Sequence, residues 1–216
     1  MESNTNCENK LTLIGTIASD VVLNHTVFGE GFYHFDLKVK RISGVYDVLP
    51  VTVSERLISI EEIHTGDTVR ISGQIRSYNK QIGKANRLII TVFAKNIERM
   101  AQETPHENEI FLSGYICKPT VYRVTPFGRE ISDILLAINR SYNKSDYIPC
   151  IAWGRNAKFV GELKMGDKIV LEGRIQSREY EKVLESGEKE TRKAFEVSVA
   201  KLKKEEPEEE TRSLEK

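Results

Sequence analysis

No apolar run in this 216-residue sequence approaches the roughly 18 residues a bilayer-crossing helix needs, so no membrane span is expected. The opening MESNTNCENK has no apolar stretch, and no secretory leader is expected. Cysteine is scarce: Cys7, Cys117 and Cys150 make an odd count with no CxxC pair. That excludes a disulfide framework and suits a reducing, cytoplasmic setting. The four histidines, His25, His34, His64 and His106, are scattered with no HExxH spacing, so no metal site is expected. There is no glycine-rich phosphate loop and no GxSxG elbow. His34 and Asp36, two apart on one strand face, read as a surface pair. No catalytic residue, metal or cofactor is expected, and the chain reads as a non-enzyme.

Net charge is absent too, which at first argues against a polyanionic partner. Its distribution removes the objection. Residues 9–99 carry a net +3 and residues 108–204 a net +5, while the negative charge sits in residues 1–8, 100–107 and 205–216. Two mildly basic bodies are joined by an acidic connector and followed by an acidic tail.

The sequence repeats itself at a spacing of about 99 residues. Asn9-Lys-Leu-Thr-Leu-Ile-Gly15 aligns with Asn108-Glu-Ile-Phe-Leu-Ser-Gly114, and Thr26-Val-Phe-Gly29 with Thr125-Pro-Phe-Gly128. Arg41 meets Arg140 and Leu49-Pro50 meets Ile148-Pro149. After one inserted residue, Gly66-Asp67 meets Gly166-Asp167, and Gly73-Gln-Ile-Arg-Ser77 meets Gly173-Arg-Ile-Gln-Ser177. This is a duplicated domain.

Within each copy, apolar residues alternate with polar or small ones, as in Leu11, Leu13, Gly15, Ile17 and again Ile134, Leu136, Ile138. That is the period of half-buried strands. The third strand holds Pro50 or Pro149, which predicts a bulge or an edge there. A short helix over 155–165 follows, then two more strands. Strand–strand–strand–helix–strand–strand in about 95 residues matches the OB-fold, a five-stranded partly open barrel, better than a small β-sandwich. The predicted fold is all-β, two tandem OB-folds: residues 9–99 a divergent first copy, 100–107 a connector, and 108–204 the second copy. Residues 1–8 and 205–216 are expected to be disordered, the latter from its run of acidic residues.

Single-strand binding needs aromatic faces for bases, interleaved with cations for phosphates. The second copy supplies both in Arg140, Tyr142, Lys144, Tyr147, Trp153, Arg155, Arg174, Arg178 and Tyr180. At this point the resemblance to a family becomes specific. Asn108–Gly114, Ile134-Leu-Leu-Ala-Ile-Asn-Arg140, Asp146-Tyr147-Ile-Pro-Cys-Ile-Ala-Trp-Gly154, Lys168-Ile-Val-Leu-Glu-Gly-Arg-Ile-Gln-Ser177 and Glu196-Val-Ser-Val recur in the order and spacing of the bacterial single-stranded DNA-binding protein family, which residues 108–204 resemble throughout. The resemblance implies that Tyr142, Tyr147, Trp153 and Tyr180 stack on bases, with Arg155 and Arg178 at phosphate-facing positions. It further implies a role in replication, recombination or repair on the bacterial nucleoid. It implies a homodimer presenting four barrels, with the exposed edge of a first strand such as Asn108–Cys117 as pairing surface.

The first copy departs from this pattern. Ser43, Val48, Ser54 and Lys80 stand where the second copy has its four aromatics, although Tyr78 is nearby and Tyr46 could substitute in space. Its cations persist as Lys38, Lys40, Arg41, Arg56, Arg76, Lys80, Lys84 and Arg87, so either a weaker phosphate-holding surface or a packing role is open. Many family members end in an acidic tip closed by Pro-Phe; this chain ends Arg-Ser-Leu-Glu-Lys, so partners of that tip are not expected. A scaffold or interaction module built on OB barrels and an RNA binder are the alternatives.

Overall fold

The computed structural model describes residues 8–83, 85–183 and 187–205, twelve strands with one short helix and one 3-10 turn among them. The first repeat forms β1 (Asn9–Ile17), β2 (Val22–Val27), β3 (Glu30–Lys40), β4 (Tyr46–Ser54), β5 (Thr68–Ile82) and β6 (Ala85–Arg99). The second forms β7 (Glu107–Ile116), β8 (Val121–Val124), β9 (Glu130–Arg140), β10 (Lys144–Trp153), α1 (Arg155–Gly161), β11 (Lys168–Val183) and β12 (Lys189–Glu205). In each repeat five strands close on themselves, β1-β5-β6-β4-β3 and β7-β11-β12-β10-β9, the ring being completed by β1 against β3 and β7 against β9. Both are OB-folds. Their alternating inward residues, among them Leu13, Phe35, Leu37, Val51 and Ile71 in one and Leu112, Leu136, Ile148, Ile175 and Val197 in the other, are buried.

Three local expectations are corrected. Each repeat has a sixth strand, β2 or β8, an exposed flap hydrogen-bonded to β3 or β9; its residues lack the buried-and-exposed alternation that marks a barrel strand. The helix ends at Gly161 rather than 165, and the first repeat has only a 3-10 turn at Ile60–Glu62. The prolines make no bulge: β9 and β10 stay in register from Lys144 to Trp153, and β3 and β4 from Tyr46 to Ser54. The Pro50 carbonyl accepts from Thr91 Oγ1 (3.2 Å), so the side of the proline without a donor faces β6, where the parallel pairing spans only Val51 and Thr52. Among the barrel strands, register shifts instead at Ser72/Gly73 and Glu172/Gly173. There a Cβ would stand 2.3 Å from the Phe93 or Ser198 carbonyl oxygen, which only glycine avoids.

The first strands also find a different partner from the one expected. Asn9 to Ile14 pair antiparallel with Leu112 to Glu107, and Glu8 and Ser113 exchange backbone bonds of 3.2 and 2.8 Å. The strand edge expected to join two chains joins the two repeats of one chain. A near-twofold clasp reinforces this junction. Asp47, fully buried in the first barrel, accepts from Arg41 Nε (2.7 Å) and Nη2 (2.6 Å) and from the Ser177 backbone N–H (2.7 Å) of the second barrel. Its counterpart Asp146, also fully buried, accepts from the Ser77 N–H (2.7 Å) and Arg76 Nη1 (3.0 Å) of the first barrel. Burial pushes the Asp47 carboxyl up, and the bonds from Arg41 and Ser177 more than reverse this, holding it below the usual carboxylate range.

Candidate nucleic-acid interface

Along β10 Asp146, Ile148, Cys150 and Ala152 are buried, as is Ile151, while Tyr147 and Trp153 stand on the outer face, 42% and 37% exposed. The unbroken register puts both aromatics on one side of the barrel. Trp153 Nε1 donates to Ser198 Oγ on β12 (3.3 Å), which fixes the indole edge and leaves ring surface open. The Tyr147 backbone is held across the barrel junction by Ser77 Oγ (2.7 Å). Tyr142 sits at the tip of the β9–β10 hairpin, 94% exposed, with Tyr142 and Asn143 both in the left-handed region (φ 62° and 54°). Tyr180 is half-buried on β11 with the Arg178 guanidinium 5.7 Å from its ring centre.

The cations divide into two groups. Lys144 at the hairpin tip and Arg155 at the start of α1 are exposed. Arg174 bonds weakly to Gln176 (3.5 Å), and Arg178 lies 3.5 Å from Glu196 with half its side chain in solvent. Three others are committed elsewhere. Arg41 and Arg76 belong to the clasp, and Arg140 Nε lies 3.2 Å from Asp146 Oδ2. Their charge balances two buried carboxylates, which gives them a part in the barrel junction that Lys144, Arg155, Arg174 and Arg178 do not share. In the first barrel Lys38 and Lys40 lie over the Tyr46 ring at 4.3 and 5.9 Å, Arg56 pairs with Glu30 (3.1 Å) and Lys80 is exposed.

Two features escaped the sequence reading. A cleft of about 680 Å³ separates the outer faces of the two barrels, lined by Tyr78, Arg87 and Thr91 of one and by Pro149, Tyr180 and Lys193 of the other. On the first barrel His25 stacks on Phe32 (5.1 Å between centres, 9° between planes), and Phe32 touches Phe93 (6.1 Å). The repeat alignment could have located Phe93, which faces Gln74 across the ladder as Ser198 faces Arg174.

Residues 107–204 match the model of the Single-strand binding protein family. Single-stranded DNA-binding protein A of Bacillus subtilis is 35% identical over 81 residues, covering 34% of this chain and 47% of that protein. Single-stranded DNA-binding protein 1 of Staphylococcus aureus is 35% identical over 81 residues, 34% of this chain and 48% of that one. The chain thus spans about half the length of the curated relatives it matches. The crystal structure of the wild-type single-stranded DNA binding protein from Thermus aquaticus superposes with a TM-score of 0.76 at 19% identity, covering 93% of this chain and 94% of that one, a likeness of fold. The likeness to the single-strand binding protein family thus rests on residues 107–204, the second barrel.

Proposed function

We propose that this protein binds single-stranded DNA without regard to sequence and without chemistry, protecting it during replication, recombination or repair on the bacterial nucleoid. The observation that carries the reading is the outer face of the second barrel, where Tyr147 and Trp153 are exposed on one side of β10 beside Arg155, Arg174 and Arg178. Bases stack on the rings, and Tyr142 and Tyr180 extend the platform at its hairpin tip and at the cleft. Lys144, Arg155, Arg174 and Arg178 hold phosphates. A scaffold role would be favoured by burial of Tyr147 and Trp153, and both are exposed. Among the described residues no helix is long and apolar enough to cross a membrane.

Trp153, the sole tryptophan, reports on this site directly. Its fluorescence should be quenched by poly(dT), more strongly at low than at high salt, and left unchanged by duplex DNA. A poly(rU) titration places the RNA alternative, since stacking is indifferent to the 2′-hydroxyl. Equal response to duplex, or none to poly(dT), would overturn the reading.

We also infer a homodimer with four barrels. With β1 and β7 paired inside the chain, a second copy has to use another surface; the edges left at the ends of the sheet order are the exposed flaps β2 and β8. Light scattering giving a monomer at micromolar concentration would refute the dimer.

A further inference from the structure

The first barrel lacks aromatics at the positions of Tyr147 and Trp153, yet its outer face is not bare. Where the second barrel sets Trp153 on β10 opposite Ile131 and against Ser198 on β12, the first sets Ser54 opposite Phe32 on β3, with Phe93 on β6 at the position of Ser198. The aromatic surface has moved from the middle strand of the three to its two neighbours. Its rings form a row: His25 stacked on Phe32, Phe32 against Phe93, and the Arg76 guanidinium 5.7 Å from the Phe93 centre. His25 is exposed, and Phe32 and Phe93 are half-buried, as Tyr180 is on the second barrel.

The surroundings repeat those of the second barrel. Arg56 follows Ser54 by two residues as Arg155 follows Trp153, and its side chain is 72% exposed beside Glu30. From Phe93, β6 leads two residues back to Thr91, which bonds Thr52 (3.1 Å) and lines the cleft. Across the cleft stand Tyr180, Lys193 and Pro149, and Pro149 shares its face of β10 with Tyr147 and Trp153. Arg87 spans the gap, its Nη2 donating to the Lys193 carbonyl (3.0 Å).

We propose that Phe32 and Phe93, with His25, form a second base-stacking platform, and that one DNA strand runs from the second barrel's face through the cleft onto it. This rests on the second-barrel reading above. The strand enters beside Arg155, stacks on Trp153 and Tyr147, passes Tyr180 and Tyr78, and leaves over Phe93 and Phe32 beside Arg56. Stacking needs only a ring face, so the exchange of strands costs the platform nothing in base tolerance.

The test puts the sole tryptophan on the new platform: Phe93→Trp in a Trp153→Phe background, titrated with oligo(dT) of about 10 and about 35 nucleotides. Tyr147 and the phenyl ring replacing the indole keep the second face aromatic, and anisotropy of labelled DNA follows binding independently of the tryptophan. Quenching by the long oligonucleotide with little by the short one is the expected result. Binding by anisotropy with no change in fluorescence overturns the second platform and leaves the second-barrel reading standing. Absence of DNA binding by the unsubstituted chain overturns that reading instead. A Phe32→Leu, Phe93→Leu variant keeps apolar volume without ring faces; it should bind the long oligonucleotide about five- to fiftyfold more weakly and the short one unchanged. Equal affinities for the long one would again refute the platform.

Discussion

Asn9 and Asn108 make the same pair of bonds in the two barrels, each side-chain amide donating to and accepting from one backbone residue, Ile75 at 2.7 and 2.9 Å and Ile175 at 2.8 and 3.0 Å. Asp67 and Asp167 each cap the turn before β5 or β11, accepting from the His64 or Lys164 N–H. Gly15 and Gly114 each leave room for a carbonyl of the strand that closes the ring, Lys38 or Ala137. At these three pairs of positions the copies agree, and there backbone must turn, close or cross. They part on the outer face, where Val48 and Ser54 oppose Tyr147 and Trp153, and Phe93 opposes Ser198. Residues that close a barrel have few substitutes, whereas a ring face can be supplied from more than one strand.

The clasp is where the comparison can be broken with the largest effect. Asp47→Ala and Asp146→Ala each take the carboxylate from a half-buried arginine and the acceptor from a serine N–H of the other barrel, and should each lower stability by about 3–5 kcal/mol in urea unfolding. The Asp47 carboxyl is held below its ordinary range, so its contribution is complete above the unfolded pKa and is lost as pH falls through the lower folded value. A loss under about 1 kcal/mol at either aspartate would show that the clasp adds little to the pairing of β1 with β7.

The outer faces come next. Trp153→Ala and Tyr147→Ala should each weaken single-strand binding by about 1–3 kcal/mol with thermal stability little changed. Ser54→Ala, the first-barrel counterpart of Trp153, should leave binding as it was. If Trp153→Ala instead collapses stability while folded molecules bind normally, the ring belongs to the core and the scaffold reading gains.

Arginines give a smaller and more discriminating contrast. Arg155→Ala should reduce the slope of log affinity against log salt by about 1 with stability unchanged, because one phosphate contact is lost. Arg41→Ala should do the reverse, lowering stability and leaving the slope alone, because its guanidinium is already committed to Asp47. A shift of the salt slope at Arg41 would return it to the DNA-facing set.

How far the sequence revealed this can be traced through these residues. The duplication was legible because Asn9/Asn108, Gly73/Gly173 and Ser77/Ser177 are framework positions, and the barrel followed from strand alternation. Trp153 and Tyr147 were legible as candidates because the second copy keeps the family pattern. Arg41, Arg76 and Arg140 were not legible as clasp residues: a cation beside an aromatic reads the same whether it faces a phosphate or a buried aspartate 70 residues away in the chain, as Arg76 does. Phe32 and Phe93 lie on separate strands 61 positions apart, and only the β3–β4–β6 pairing brings their rings together. The flaps β2 and β8 carry no burial period to detect. Of residues 1–8 and 205–216, expected to be disordered, Glu8 pairs with Ser113 and Glu205 ends β12; residues 1–7 and 206–216 lie outside the described residues, as does Lys84.

The smallest expected effect concerns the connector, which is tied to the first barrel by a bond that titrates. His106 Nδ1 accepts the Lys40 backbone N–H (2.8 Å), its ring meets Tyr46 edge-on (6.3 Å), and Nε2 lies 3.5 Å from Thr16 Oγ1. Burial, then the neighbouring Lys40 and Lys38, lower the imidazole below its ordinary pKa. An imidazolium has no lone pair to offer, so the Lys40 bond exists only with the neutral ring. A depressed folded pKa means the unfolded chain takes up the proton first, so this stabilisation is complete above the unfolded histidine value and fades as pH falls through the folded one. The second copy's last strand ends instead on the ion pair of Lys168 with Glu205 (2.6 Å), and residues 107–205 hold no histidine. Hydrogen-exchange protection of the Lys40 amide, corrected for intrinsic rate, should therefore drop between pH 7 and 5, while the amides pairing β11 with β12 hold theirs. His106→Ala should show the low-pH behaviour at every pH. Protection at Lys40 that stays constant across this range would mean that the connector is not held to the first barrel through this imidazole.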